Sequence, residues 1–226
     1  MARFHDRSEA GRELAAELLS YAAESPIVLA LPRGGVPVAY EVARALGGEL
    51  DVWVVRKVGV PWYPELGVGA AAEDGYVYLN QDILDTVGLS EPALTQALEQ
   101  QRREVEQRVV KFRAARPRPV LQGRTVIVVD DGIATGSTVR AAIRSIRSQH
   151  PKTVVLAVPV AAAPIAGTLA WEVDRLVCLR TPRELYAIGL WYDDFTRVSD
   201  EEVVALLERA RSEKPKPHEQ PERHAL

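Results

Sequence analysis

Apolar residues gather in five short runs, at 26–31, 50–55, 125–129, 153–160 and 173–179, all rich in Val, Ile and Leu. Between them apolar positions recur every three or four residues. Runs of this length read as strands buried on both faces, and strands alternating with helices predict a mostly parallel sheet covered on each side, an α/β domain. The first helix is expected to start at Asp6, because Glu9 three residues on gives a capping-box pattern, and to turn Leu14, Leu18 and Leu19 inward. The same signal, Ser199 followed by Glu202, opens the last helix, with Val203, Leu206 and Leu207 as its buried stripe. Residues 90–116 predict a long charged helix with few apolar positions, an excursion whose charges form a solvated face.

Two stretches fall outside this pattern. Residues 59–75 (GVPWYPELGVGAAAEDG) mix Gly, Pro and aromatics ahead of a short strand at 76–79, which suits a lid or a hairpin arm. Residues 212–226 are polar and Pro-rich and are expected to be a disordered tail, leaving 1–211 as one domain without internal repeats. Composition supports one sizeable core: 226 residues, 47% of them hydrophobic and 26% charged. A net charge of -3 argues against a nucleic-acid partner, so any anion must be caught locally. The lone Cys178 lies in an apolar run and is expected to be a buried thiol in a reducing cytoplasm. No apolar run reaches the roughly 18 residues of a membrane span and the start has no apolar signal, so no membrane partner is expected.

Candidate chemistry concentrates at 126–139 (VIVVDDGIATGSTV), a strand that runs into two acids, a tight loop and a helix start. Such a loop gathers unpaired N–H groups at the positive end of a helix dipole, and Thr135, Gly136, Ser137 and Thr138 add hydroxyls and close backbone approach for a phosphate. Asp130 and Asp131 would repel that phosphate unless they accept hydrogen bonds, and the vicinal hydroxyls of a ribose are suitable donors. A phosphorylated sugar satisfies both features. The plainer alternative is a strand–turn–helix whose acids only cap the helix; a Walker loop is excluded because no Gly-Lys-Ser/Thr follows. A second strand-to-helix turn at 31–36 (LPRGGV) offers Gly34 and Gly35 to aim N–H groups at an anion, and Arg33 to neutralise it. Arg56 and Lys57, at the end of the second apolar run, are expected at a parallel strand's carboxyl end facing the same crevice.

The segment 126–139 resembles the signature of the type I phosphoribosyltransferases, in which an apolar strand meets two acids and then a Thr-Gly-Gly/Ser-Thr turn. The resemblance implies the type I fold, a mostly parallel central sheet flanked by helices with a small hood and a helical or hairpin excursion. It also implies that phosphoribosyl pyrophosphate and Mg²⁺ bind here. Asp130 and Asp131 would hold the ribose hydroxyls, and the loop of Gly132, Ile133, Ala134, Thr135, Gly136, Ser137 and Thr138 the 5′-phosphate. Arg33, Gly34 and Gly35 would hold pyrophosphate beyond a cis Pro32–Arg33 peptide, with Lys57 first and Arg56 second as basic contacts. Residues 185–197 (LYAIGLWYDDFTR) are similar to the hood of 6-oxopurine phosphoribosyltransferases. By position, Tyr186 would stack on the base, Ala187 and Ile188 would present backbone groups to its edge, Asp193 would join Asp130 and Asp131 around Mg²⁺, and Arg197 would reach pyrophosphate.

One position departs from the pattern. Ala134 stands where the hypoxanthine–guanine enzymes carry an Asp that exchanges a proton with the base, and Glu65 or Glu73 in the arm are the candidate replacements. Over residues 1–210 the chain looks closest to predicted bacterial phosphoribosyltransferases bearing Arg-Lys-Val-Gly-x-Pro and then Pro-Glu-Leu-Gly-x-Gly-Ala. The expected function is transfer of a phosphoribosyl group to a nitrogenous, purine-like base with release of pyrophosphate. The alternative is a non-catalytic sensor of phosphoribosyl pyrophosphate. The acceptor is unspecified and a homodimer is left open.

Overall fold

Strands buried on both faces need apolar residues at every position, and the central strands of this chain have them. A computed structural model describes residues 3–114 and 116–213. The first half contains α1 (Arg7–Ala16), β1 (Ile27–Ala30), α2 (Gly35–Leu46), β2 (Glu49–Val52), β3 (Val55–Val60), β4 (Tyr63–Ala72), β5 (Val77–Leu79), α3 (Gln81–Val87) and α4 (Glu91–Arg113). The second contains β6 (Thr125–Val129), α5 (Ser137–Arg147), β7 (Thr153–Val160), α6 (Ala163–Leu169), β8 (Arg175–Arg180) and α7 (Asp200–Ser212). Strands β2-β1-β6-β7-β8 lie in that order in one parallel sheet. Alternate residues feed opposite cores: Val28, Ile127 and Val155 pack under α1, α2 and α7, whereas Leu29, Val128 and Leu156 pack under α5 and α6.

Local signals act as their chemistry requires. Asp6 caps α1 by accepting from the Glu9 amide, and the Glu9 carboxylate accepts from the His5 amide. Ser199 caps α7 by accepting from the Glu202 amide, with Val203 and Leu207 buried. Leu19 is a correction: α1 stops at Ala16, and Leu19 opens a 3-10 turn, where it is 57% exposed while Leu14 and Leu18 are buried. Helix α7 runs through Ser212, one residue past the expected domain boundary; the tail expected beyond it lies outside the described residues from 214 on. Cys178 is half-buried rather than sealed in the core. Its Sγ donates to the Arg180 carbonyl at 3.3 Å, and burial pushes the thiol up to about 11. Among the described residues, no helix is long and apolar enough to cross a membrane.

The second apolar run divides. Strand β2 ends at Val52, Trp53 is fully buried with its indole N–H donating to Ser145 Oγ at 3.0 Å, and the chain then leaves the parallel sheet. Val55 begins a separate antiparallel sheet of order β3-β4-β5, the expected arm. Arg56 and Lys57 therefore sit in a hairpin, and their placement at a parallel strand's end is corrected. Helix α4 is also more than a solvated excursion. It packs on the hairpin and buries Val105, Phe112 and Arg113. Arg113 meets Asp51 at 3.0 Å and Glu73 at 2.7 Å and donates to the Val52 carbonyl, joining helix, sheet and hairpin. Burial pushes both acids above the usual carboxylate range, and the Arg113 charge opposes that shift.

Candidate functional site

Because β1 and β6 are neighbours, the loops that follow them leave the same edge of the sheet side by side. The Leu31 amide donates to the Val129 carbonyl at 2.8 Å, and the Pro32–Arg33 peptide beyond it is cis. Glycines permit what comes next. A Cβ on Gly35 would lie 2.7 Å from the Val129 carbonyl oxygen and 3.0 Å from Asp130 Cα, and one on Gly34 would lie 2.5 Å from Asp131 Cγ. The two loops are in direct contact, with the acid pair at their junction.

Asp131 is held on three sides. Arg7 Nε donates to its Oδ2 at 2.8 Å, the Tyr192 hydroxyl donates to its carbonyl at 2.6 Å, and its own amide donates to Asp130 Oδ1 at 2.9 Å. Burial pushes both acids up. Asp130 goes well above the ordinary range because the Asp131 charge adds to its burial and the Arg7 guanidinium is paired to Asp131 instead. Arg7 also donates to the Thr196 carbonyl at 2.8 Å and lies 3.8 Å over the Phe195 ring. Just before it, Phe4 pairs in parallel with Tyr192, and the Asp193 and Asp194 amides donate to the Phe4 and His5 carbonyls. The start of α1 thus ties the hood to the acid loop. Sequence reasoning missed Arg7 and Tyr192; the capping box located α1, but nothing in the pattern directed Arg7 at a residue 124 positions away.

Beyond the acids, Ile133 bridges to Ala161 and is buried as a core side chain, so it can offer a ligand only its backbone. Gly136, at φ +76, turns the chain into α5, whose first turn holds no acidic residue and whose N-terminus receives no side-chain cap. Ala134, Thr135, Ser137 and Thr138 are exposed around N–H groups that lack intrahelical partners. This end of α5 can receive an anion.

The remaining expected residues divide. Ile188 packs against Gly132, which sets the hood above the acid loop. Tyr186 is 84% exposed, with its hydroxyl on Glu184, and Asp193 and Arg197 are also exposed. Arg33 pairs with Asp200 at 3.4 Å and Arg56 with Glu104 at 2.5 Å, so the ion pairs they make are not with Asp130 or Asp131. Lys57, Arg56, Gln96 and Gln101 line a cavity of about 490 Å³ between the hairpin and α4. Glu73 is unsuited as a general base because it is buried against Arg113; the Glu65 side chain lies outside the described residues. The acids expected around Mg²⁺ do not gather. Asp131 is engaged by Arg7, Asp193 stands exposed beside Arg3 at 3.9 Å, and among the described residues no three acids, histidines or cysteines cluster as a metal cage.

The model of the "Phosphoribosyl transferase domain" family matches residues 3–183. Two Mycobacterium tuberculosis proteins, from different strains and each named "Putative phosphoribosyl transferase", are 47% identical over 210 residues, covering 93% of this chain and 47% of theirs. The chain therefore spans about half the length of the curated relatives it matches. The crystal structure of TT1426 from Thermus thermophilus superposes with a TM-score of 0.80 at 42% identity, covering 92% of this chain and 98% of that one. With its acid loop, its parallel sheet and these relatives, the chain belongs to the phosphoribosyl transferase domain family and has the type I fold.

Proposed function

We propose that this chain transfers the phosphoribosyl group of phosphoribosyl pyrophosphate to a nitrogenous base and releases pyrophosphate. The observation that carries the reading is the contact of Gly34 and Gly35 with Asp131, Asp130 and Val129, which sets two anion-binding loops around one acid pair. In this reading the N-terminus of α5, with Thr135, Ser137 and Thr138, takes the 5′-phosphate. Asp130 and Asp131 accept the ribose hydroxyls, and residues 32–35 face the pyrophosphate. A hydroxyl donated to Asp130 stabilises its charged form, which burial disfavours, so substrate relieves a cost already present in the free protein.

The C–O bond to pyrophosphate breaks as the base nitrogen bonds to the anomeric carbon, and the leaving group carries the electron pair. Ala134 offers no proton acceptor and Glu73 is held by Arg113, so no protein general base is assigned. Catalysis comes from positioning and preorganised charge. Among the described residues the acids do not make a protein-held Mg²⁺ cage, and no step is assigned to them as metal ligands. A purine-like base is favoured by the hood, where Ile188 sits above Gly132 and exposed Tyr186 offers a ring face.

The test is incubation with phosphoribosyl pyrophosphate, Mg²⁺ and a panel of purine and pyrimidine bases, with pyrophosphate release as the readout. Base-dependent release is expected, with a purine best. Tight phosphoribosyl pyrophosphate binding without release for any base would favour a sensor, and absence of binding would remove the reading altogether.

A further inference from the structure

The last turn of α7 carries two arginines whose surroundings differ. Arg209 pairs with Glu213 at 2.8 Å and lies 5.1 Å over the Tyr40 ring. Arg211 is half-buried, and its Nη1 is buried with no hydrogen-bond partner among the described residues. An arginine at the end of a helix ordinarily bonds the open carbonyls there or stays in water. Arg116, just past the end of α4, does the first: its Nε donates to the Arg113 carbonyl at 2.7 Å. Arg211 Nη1 does neither, and a buried donor left open costs free energy that an acceptor recovers.

Arg211 and Arg116 line one cavity of about 230 Å³, walled on its apolar side by Leu50, Pro117 and Ala210. Glu49 and Asp51 line it too. Asp51 is engaged by Arg113 at 3.0 Å, and among the described residues Glu49 forms an ion pair with neither arginine. Glu49 lies level with Ile27, and Ile27 with Val126, so the cavity stands where the strands begin, away from the acid loop that follows Val129. Two arginines against Glu49 leave room for one negative charge, and the carbonyl ends of α4 and α7 disfavour a second. A guanidinium fork matches a planar carboxylate, and the apolar wall suits a short carbon chain. The volume is below the roughly 300–1,000 Å³ of sites for drug-sized ligands, which limits the occupant to a few heavy atoms.

We propose that this cavity binds a small monocarboxylate, its carboxylate on the Arg211 and Arg116 guanidiniums and its chain against Leu50 and Ala210. Arg116 also holds the Arg113 carbonyl, and Arg113 joins helix, sheet and hairpin, so an occupant braces that junction. The site stands whether or not the acid loop takes a phosphorylated sugar.

Calorimetry on the full chain at constant ionic strength tests this with sodium propionate, using propionamide and inorganic phosphate as the uncharged and the more highly charged controls. Propionate should saturate a single site, with both controls at least about tenfold weaker, as expected when a charged hydrogen-bonding pair is lost or mismatched. Arg211→Met should weaken propionate by a similar factor and Arg211→Lys by less, whereas Glu49→Gln should tighten it. Ala210→Leu, which fills the cavity and leaves both arginines, should abolish binding. Without ligand, Arg211→Met should melt no lower than the wild type, because it removes a buried donor that has no partner, and propionate should no longer raise its melting temperature. A purely structural Arg211 predicts early melting instead. Absence of saturable propionate binding, phosphate binding as tightly as propionate, or wild-type propionate affinity in a folded Arg211→Met or Ala210→Leu chain would overturn the site.

Discussion

Asp131 is fixed at its carboxylate by Arg7, at its carbonyl by Tyr192 and at its amide by Asp130, with Gly34 against its side chain. Across the hood, Tyr186, Asp193 and Arg197 reach into solvent, although the hood backbone between them is tied to Phe4 and His5. One candidate site thus contains a part that is finished before any ligand arrives and a part that only a ligand can finish. A preorganised part suits groups that must be positioned for bond breaking, whereas an open one suits recognition of a variable acceptor. If the contrast is real, substitutions in the first part should cost stability and those in the second should not.

Arg7→Met should give the largest effect. It leaves Asp131 buried without its cation, and breaking a buried pair costs about 3–5 kcal/mol, less whatever Asp131 recovers by taking up a proton. Urea denaturation should show the loss at neutral pH and a smaller one in acid. A loss below about 1 kcal/mol at neutral pH, as for a surface pair, would mean that Arg7 does not hold the loop. Gly35→Ala comes next, because its new Cβ meets backbone at Val129 and Asp130, which cannot rotate away. Overpacking of this kind costs about 1–3 kcal/mol, and phosphoribosyl pyrophosphate affinity should fall with it. A melting curve and titration matching the wild type would show that the two loops can separate freely.

Asp130→Asn reverses the sign. Burial holds the Asp130 carboxyl well above the aspartate range, so the folded state keeps a proton where the unfolded chain has lost it. The residue's contribution is complete below the unfolded pKa and is lost as pH rises through the folded one. Asn does not ionise, so the variant should melt a few degrees higher at neutral pH, at about 2–4 °C per kcal/mol for a chain this size, and the gain should vanish in acid. Substrate affinity should fall in the same variant. A pH-independent gain would assign the effect to packing instead of charge.

These contrasts also explain what the sequence revealed. The parallel sheet was legible because strands buried on both faces carry apolar residues almost without interruption, and both helix caps were legible because capping partners lie three residues apart. The acid loop was legible for the same reason: acids, glycine and hydroxyls follow one another in the chain. Arg56 and Lys57 were misplaced because the apolar run at 50–55 hides the exit at Trp53, which is set by a hydrogen bond to Ser145 on another element. Arg113 resembled one more surface charge because Asp51 and Glu73 lie on separate elements, 62 and 40 positions away. Pairings across such separations leave no periodicity to read.

Tyr186→Ala should have the smallest effect on stability and gives the closest test of the open half. A buried aromatic cut to Ala loses roughly 3–5 kcal/mol, but Tyr186 is 84% exposed and its hydroxyl donates to the exposed Glu184, so the expected change is within about 0.5 kcal/mol. If the ring stacks on a base, the variant should lose roughly 1–3 kcal/mol of base affinity, by analogy with aromatic platforms in nucleic-acid sites. Phosphoribosyl pyrophosphate affinity should not move, since the acid loop is held by Arg7, Tyr192 and the glycines without Tyr186. Melting temperature, phosphoribosyl pyrophosphate affinity and base affinity together separate the cases. Early melting with both ligands lost would mean that the hood is part of the fixed half. An unchanged base affinity in a stable variant would leave the ring without a role in the site and withdraw the main support for a purine-like acceptor.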